Sequence, residues 1–219
     1  ICDQSSALSG HIRMSVPTIS GELLLAQCAA EFTQRHPNVH IEMRLENHFV
    51  DLIEDGIDLA IRTGHLENSS LIAKYLLQSR WIACCSQSYI DQASVITHPQ
   101  DLTDHNCFAY TYQSGNPELW QFHQGQNKQV INIKGGFASN NSQALRKAAL
   151  AGHGIIYLPK CCVHEDLKSG KLIELLPQWQ PRTIGVYAIY PYTKHVPKAI
   201  SELIDYIHQR YLAMQDYFT

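Results

Sequence analysis

The chain has 219 residues, of which 45% are hydrophobic and 17% charged, and its formal net charge is −3. This composition excludes an intrinsically disordered chain, which needs low hydrophobicity and high net charge. The charge argues against a strongly basic nucleic-acid-binding domain within these residues. The sequence has neither the apolar run of roughly 20 residues that spans a bilayer nor a signal-peptide pattern, so we predict a cytoplasmic protein without membrane contact.

The first 61 residues alternate strand and helix signals. Apolar residues at every second position, or short buried runs, predict three strands over Gly10–Val16, Val39–Leu45 and Ile57–Ile61. Between the first two strands, Ser20 is expected to cap a helix that ends before Pro37. A short helix is predicted over Val50–Glu54. The β-α-β-α-β order predicts a parallel, doubly wound α/β sheet.

The rest of the chain continues the α/β pattern. Two strands, Ile72–Leu77 and Trp81–Cys85, are predicted on either side of a turn at Gln78-Ser79. Further strand signals cover Cys107–Tyr112, Val130–Lys134, Ile155–Pro159 and Gly185–Tyr190, and helices are predicted over Asn141–Ala151 and Pro197–Met214. The strand and helix signals therefore fall into two α/β modules.

Seven cysteines are present, an odd number that includes two adjacent pairs. This pattern does not fit a secreted disulfide scaffold and favours a reducing compartment, with most thiols acting as small apolar fillers. In a strand, neighbouring side chains face opposite sides, so one of Cys84 and Cys85 could be exposed and redox-active. Cys161, Cys162 and His164 lack a matching second half for a zinc site, so we predict neither metal nor cofactor.

Several motifs together resemble the effector-binding (regulatory) domain of LysR-type transcriptional regulators. They share their order and spacing with that family and occur at Gly10–Pro17, Phe49–Gly64, Leu71–Leu76, Pro99–Cys107, Asn140–Pro159 and Leu167–Leu176. The resemblance implies two Rossmann-like subdomains joined by two crossover strands, similar to type 2 periplasmic binding proteins. It places the end of a linker helix at 1–9, subdomain I at 10–85 and 190–219, and subdomain II at 86–189.

The same resemblance implies the partners. A small-molecule effector would bind in the cleft between the subdomains, and the domain would form a homodimer or homotetramer. Promoter DNA would be bound by an N-terminal winged helix-turn-helix that is absent from this sequence.

Candidate effector-binding residues in the first module follow predicted strands. In open α/β sheets, ligands bind where the strands end, and a helix N-terminus there attracts anions. Pro17, Thr18 and Ser20 follow the first strand, and their alternative role is helix capping. Arg62 and Thr63 follow the third strand. Arg62 could bind an anionic effector or form a structural bridge to an acid such as Glu46.

The second module contains a comparable set of candidate effector-binding residues. Ser139, Asn140 and Asn141 precede a predicted helix, where Asn140 could orient a ligand and Ser142 could cap the helix. Tyr110 could form an apolar wall, although an aromatic residue in such a stretch is more often part of the core.

Two other classes of protein were weighed. A periplasmic solute-binding protein of a transporter would share the fold but should carry a signal peptide and few free cysteines. An enzyme is not predicted, because the sequence contains none of the nucleophile-elbow, P-loop, dinucleotide-binding or zinc-protease motifs.

Overall fold

A computed structural model describes residues 7–47, 51–64, 71–112, 115–193 and 196–219. The chain divides into two compact units. The first unit comprises Ile1–Leu77 and Gly185–Gln215, and the second comprises Gln78–Ile184 and Asp216–Thr219. The first two boundaries fall eight and five residues before those expected from the sequence, and Asp216–Thr219, which were expected in subdomain I, belong to the second unit.

The described ranges contain strands of two to fifteen residues and several short helices. The strands are β1 (Ser9–Val16), β2 (Asn38–Leu45), β3 (Leu59–Thr63), β4 (Leu71–Cys85), β5 (Cys107–Tyr110), β6 (Leu119–Gln124), β7 (Asn127–Asn132), β8 (Ala138–Ser139), β9 (Ile155–Pro159), β10 (Ile173–Glu174), β11 (Gln180–Pro181) and β12 (Thr183–Pro191). The α-helices are α1 (Thr18–Ser20), α2 (Ala26–Arg35), α3 (Gln87–Ile90), α4 (Ser142–Leu150), α5 (His164–Lys168) and α6 (Lys198–Ala213). A π-helical turn covers Gly21–Leu25, and 3-10 helices cover Pro99–Asp104, Lys160–Cys162 and Gln215–Tyr217.

The sheet of the first unit is parallel over its first three strands, as predicted. β1 lies between β2 and β3 and pairs with both in parallel, and β12 pairs with β3 in the antiparallel direction. Ile12, Met14 and Val16 alternate along β1 and are all buried. The helix that follows buries Cys28 and Phe32, which lie one turn apart on a single face.

The helical segment after β1 begins earlier than predicted. Thr18 is its first residue, and Ser20 lies inside it with helical backbone angles (φ −66°, ψ −33°). The prediction that Ser20 is the N-cap is therefore wrong. The N-terminal amide is capped from the segment after β2 instead, because the Thr18 N–H donates to Asn47 Oδ1 over 3.0 Å. A Cβ on Gly21 would come within 2.8 Å of Leu45 Cγ, so an alanine there would require the Leu45 side chain to move.

The short helix predicted over Val50–Glu54 is wrong for the part that the structure describes, and Val50 lies outside the described residues. Residues 52–56 form a turn. Asp51 Oδ1 accepts hydrogen bonds from the N–H groups of Ile53 (2.9 Å) and Glu54 (3.1 Å). The Asp51 side chain therefore satisfies the backbone donors at the start of the turn. Gly56 ends the turn with φ +62°.

The turn predicted at Gln78-Ser79 is also wrong, because β4 is one strand of 15 residues. Ser79 is buried within it, and Gln78 Nε2 donates to Thr183 Oγ1 over 2.8 Å. Polar residues that favour a turn in isolation are thus satisfied by a neighbouring strand. β4 passes from the first unit to the second after Leu77, and β12 passes back after Ile184.

The second unit contains a mixed sheet. β4 pairs with β9 and β10 in the antiparallel direction, and β5 pairs with β8 and β9 in parallel. Against it lies a three-stranded sheet of β11, β6 and β7, whose strand β6 the sequence analysis missed. Trp120 and Phe122 of β6 are buried, with ring centroids 5.2 and 5.4 Å from that of Tyr157. These two aromatic residues therefore belong to the core.

Across the described ranges, no helix combines the length and the apolar character needed to cross a bilayer.

Candidate functional site

Polar groups of the first unit meet at the carboxyl ends of β1 and β3. Ser15 lies opposite Ala60 in this parallel pair, so the residues that follow both strands emerge at the same edge. The first hydrogen bond within the helix runs from the Gly21 N–H to Pro17 O (2.8 Å). The N–H groups of Thr18 to Ser20 therefore precede the helical ladder and point towards its N-terminus. Thr18 is half-buried, whereas the Ser20 side chain is buried.

Arg62 reaches the same edge from β3 but is directed into the protein. Its side chain is 3% exposed. Nη1 donates to Ser15 O (3.1 Å) and Ile61 O (2.8 Å), and Nη2 donates to Ser15 Oγ (2.7 Å). Ser15 Oγ in turn donates to Glu46 Oε2 (3.1 Å). The Arg62–Glu46 bridge considered from the sequence thus runs through a serine hydroxyl, and these contacts hold Arg62 in a structural role.

Asn47 and Ser15 are contributors that the sequence analysis missed. Asn47 follows the edge strand β2 and caps the helix, and Ser15 orients Arg62. A polar residue at the end of a strand adjacent to β1 was the available signal for Asn47. Thr63, the remaining candidate of this unit, is half-buried and follows Arg62 at the end of β3.

Candidate residues of the second unit meet at the carboxyl ends of β5 and β8. Tyr110 is the register partner of Ser139 in this parallel pair. Tyr110 is 3% exposed and its ring centroid lies 5.9 Å from that of Trp81. Burial, with a smaller contribution from the neighbouring Cys162, raises the pKa of Tyr110, which keeps its hydroxyl neutral.

Asn140 and Asn141 follow β8 and have different roles. Asn141 is the N-cap of α4, since its Oδ1 accepts the N–H groups of Gln143 (2.9 Å) and Ala144 (3.1 Å). The expectation that Ser142 caps this helix is wrong, because Ser142 is its first, buried residue. Asn140 is exposed, so its amide can donate to and accept from a ligand.

The prediction that one of Cys84 and Cys85 is exposed is wrong. Both are fully buried, because β4 is covered on both faces of the sheet at this point. Burial raises the pKa of Cys85 to about 12 and that of Cys84 well above its ordinary value. A redox role needs an accessible thiolate, which this environment disfavours.

Alkaline pH is expected to destabilise the second unit. Burial raises the pKa of Cys85 and of Cys107 to about 12, so above about pH 9 these thiols ionise in the unfolded chain but stay protonated in the folded one. The folded state then binds more protons, and the free energy of unfolding falls as pH rises, by about 1.4 kcal/mol per pH unit for each thiol. Urea unfolding at about pH 8 and about pH 10 measures this fall.

A Cys85→Ala/Cys107→Ala double variant supplies the control. It should lose less stability between the two pH values than the parent chain does. An equal loss in both proteins would show that other groups cause the alkaline effect.

Two cavities of about 400 Å³ each lie in the second unit. One is lined by residues that include Cys107, Lys134 and Phe137, and the other by residues that include Tyr89 and His105. Neither contains a residue predicted to bind the effector. Within the described part of the chain, no three His, Cys, Asp or Glu side chains are grouped to hold a metal ion.

The fold and the strand-end sites now allow a comparison with known proteins. The family described as LysR substrate binding domain matches residues 5–212, so the chain belongs to this family, which occurs in LysR-type transcriptional regulators. An uncharacterized HTH-type transcriptional regulator of Haemophilus influenzae is 32% identical over 197 residues, covering 90% of this chain and 68% of the relative.

Solved structures give the same result. The regulatory domain of CrgA from Neisseria meningitidis, a LysR-type regulator, has a TM-score of 0.80 at 27% identity, covering 92% of this chain and 98% of that one. Full-length AphB, a virulence activator of Vibrio cholerae, has a TM-score of 0.78 at 26% identity, covering 92% of this chain and 69% of AphB. The predicted α/β fold of the type 2 periplasmic-binding-protein kind is thereby confirmed.

These relatives also bear on the classes of protein considered at the start. They are transcriptional regulators, a class whose members are normally not enzymes. The alternative of a transporter's solute-binding protein is not favoured. The chain covers about two thirds of the length of the full-length relatives and almost all of the CrgA regulatory domain.

Proposed function

We propose that this chain senses a small-molecule effector for a LysR-type regulator and binds it with the polar groups at the strand ends of both units. The observation that carries the proposal is the start of the helix after β1. There Thr18 and the N–H groups of Ile19 and Ser20 follow the end of a parallel strand, at the start of the helical ladder. Donors at a helix N-terminus favour a carboxylate or another anion.

The second unit contributes a different chemistry to the same ligand. Asn140 supplies an exposed amide, and Tyr110 supplies an aromatic ring beside Ser139. An exposed amide suits a small effector that carries hydrogen-bonding groups. Arg62 supports this arrangement by orienting Ser15 and the end of β1.

Effector binding regulates transcription only if it favours one conformation of the regulator over another. The proposed regulator is a cytoplasmic homodimer or homotetramer. Its change of conformation alters the binding of promoter DNA by an N-terminal winged helix-turn-helix. The names of the relatives as HTH-type transcriptional regulators support this assignment.

A thermal-shift screen with small carboxylates, simple aromatics and amino acids tests the proposal. For each compound that raises the melting temperature, Thr18→Val and Asn140→Ala should each lower the affinity about tenfold, the effect of one lost hydrogen bond to a bound ligand. Isothermal titration calorimetry measures this change.

Thr103→Val is the matched control, because the Thr103 hydroxyl donates to Gln100 O within a surface 3-10 helix (2.9 Å). This variant should bind each compound with the affinity of the parent chain. If both Thr18→Val and Asn140→Ala keep the parent affinity for every compound, the proposed site is wrong.

A further inference from the structure

Besides the two crossing strands, a third chain segment joins the two units. Helix α6 belongs to the first unit, which ends at Gln215, whereas Asp216–Thr219 belong to the second unit. The helix is firmly anchored, since Ile207 and Tyr211 are buried. The chain therefore leaves one core at Tyr211 and enters the other within seven residues.

Phe218 is the main anchor in the second unit. Its side chain is 1% exposed although it lies next to the last residue of the sequence. Its carbonyl oxygen accepts the N–H of Arg80, in the part of β4 that belongs to the second unit, over 2.7 Å.

The flanking residues add polar and aromatic contacts. The Tyr217 ring stacks on His164 with centroids 3.9 Å apart, and its hydroxyl donates to the Glu165 carboxylate. Lys160 Nζ donates to Thr219 O. These partners lie in α5 and in the 3-10 helix that precedes it, both in the second unit.

The segment between the buried residues Tyr211 and Phe218 is short and ordered. The Met214 N–H donates to Arg210 O (3.2 Å) and Tyr211 O (3.1 Å), which continues the order of α6. A 3-10 helix then covers Gln215–Tyr217 and leads directly to Phe218. The chain from Met214 to the buried Phe218 is therefore ordered throughout.

We propose that Asp216–Thr219 form a latch, a third tether that limits the movement between the two units and is released when Phe218 leaves the core of the second unit. Movement about two strands alone would need only small backbone changes near the crossings. With the latch in place, the same movement also requires Phe218 to lose its buried contacts. The latch sets the cost of conformational change whatever the effector is, so it does not depend on the proposed ligand site.

Hydrogen–deuterium exchange on the full chain tests the latch. In Phe218→Ala, exchange should accelerate about tenfold at the two crossings, residues 76–79 and 184–187, as well as at the latch. Phe218→Leu should restore slow exchange at the crossings, because leucine refills most of the pocket. Tyr192→Ala, which removes an aromatic side chain that is 73% exposed, should exchange like the parent chain.

The pattern of exchange distinguishes a latch from a merely local contact. If Phe218→Ala accelerates exchange only in residues 160–165 and 216–219 while both crossings keep the parent rate, the proposal is wrong. Should Phe218→Ala fail to fold, Tyr217→Ala serves instead, since it removes only the half-buried anchor. For this variant the crossings should accelerate less than tenfold but measurably, and parent rates at both crossings would overturn the latch.

Discussion

Replacing Gly135 with alanine is expected to destabilise the second unit by about 3 kcal/mol or more. A Cβ at this position would lie 1.9 Å from Cys107 O and 2.8 Å from Cys107 C. The clash involves backbone and cannot be relieved by turning a side chain. The Cys107 N–H also donates to Lys134 O (2.8 Å), so moving the two segments apart would break a hydrogen bond of β5. Urea unfolding followed by tryptophan fluorescence measures the loss, because all three tryptophans lie in this unit.

The adjacent Gly136 provides a matched control. A Cβ there would meet no atom within 4 Å, so Gly136→Ala should be neutral or stabilise the protein by up to about 1 kcal/mol through the unfolded chain. The two variants have the same composition and differ only in position. Equal unfolding midpoints for both would contradict the close approach of Gly135 to β5.

Arg62→Met is expected to destabilise the protein by about 3 kcal/mol. The variant leaves Ser15 O and Ile61 O without the donors they have in the parent chain. Buried acceptors that lose their donors pay a desolvation penalty that the methionine side chain cannot offset. Urea unfolding followed by far-UV circular dichroism measures the loss, because this signal includes the first unit, whereas all three tryptophans lie in the second.

Arg13→Met is the control, because it removes the same positive charge from a partly exposed position. Arg13 lies 3.8 Å from Glu42, and both side chains are nearly half exposed, so this pair should contribute less than about 1 kcal/mol. If Arg62→Met proves as mild as Arg13→Met but abolishes effector binding, Arg62 contacts the effector directly and its structural assignment is wrong.

Local sequence patterns predicted much of the first unit. Period-two alternation gave the correct faces of β1 and the approximate extents of β1 and β2, because an apolar side chain in a half-buried strand has only one favourable side. The buried face of α2 follows a local rule of the same kind, since Cys28 and Phe32 are four residues apart and lie on one side. These patterns need no knowledge of distant residues.

Contacts between distant residues explain where the predictions were wrong. Ser20 was predicted to be the N-cap from its local sequence. In the structure the Thr18 N–H is capped instead by Asn47, which is 29 residues away from it. Gln78 and Ser79 predicted a turn, but both lie inside β4, where the Gln78 side chain donates to Thr183. In each case a partner remote in sequence satisfied a polar group that local reasoning had assigned to a nearby one.

The candidate site was likewise predictable from the sequence only in part. Its location at the ends of parallel strands followed from the order of the elements, because the right-handed β-α-β connection brings those ends to one edge. The role of each residue did not follow. Whether Arg62 faces a ligand or the core depends on Ser15, and whether Asn141 or Ser142 caps α4 depends on the backbone after β8.

The amino-acid sequence by itself determined the α/β class, the parallel order of the first strands and, through several motifs in order, the regulatory-domain family. These properties depend on local periodicity and on short motifs that are read directly along the chain. Only the tertiary structure decided that Cys84 and Cys85 are both buried, that Arg62 is held by Ser15 and that Phe218 joins the core of the second unit. Burial and hydrogen bonding at these positions depend on residues that are brought close only by folding.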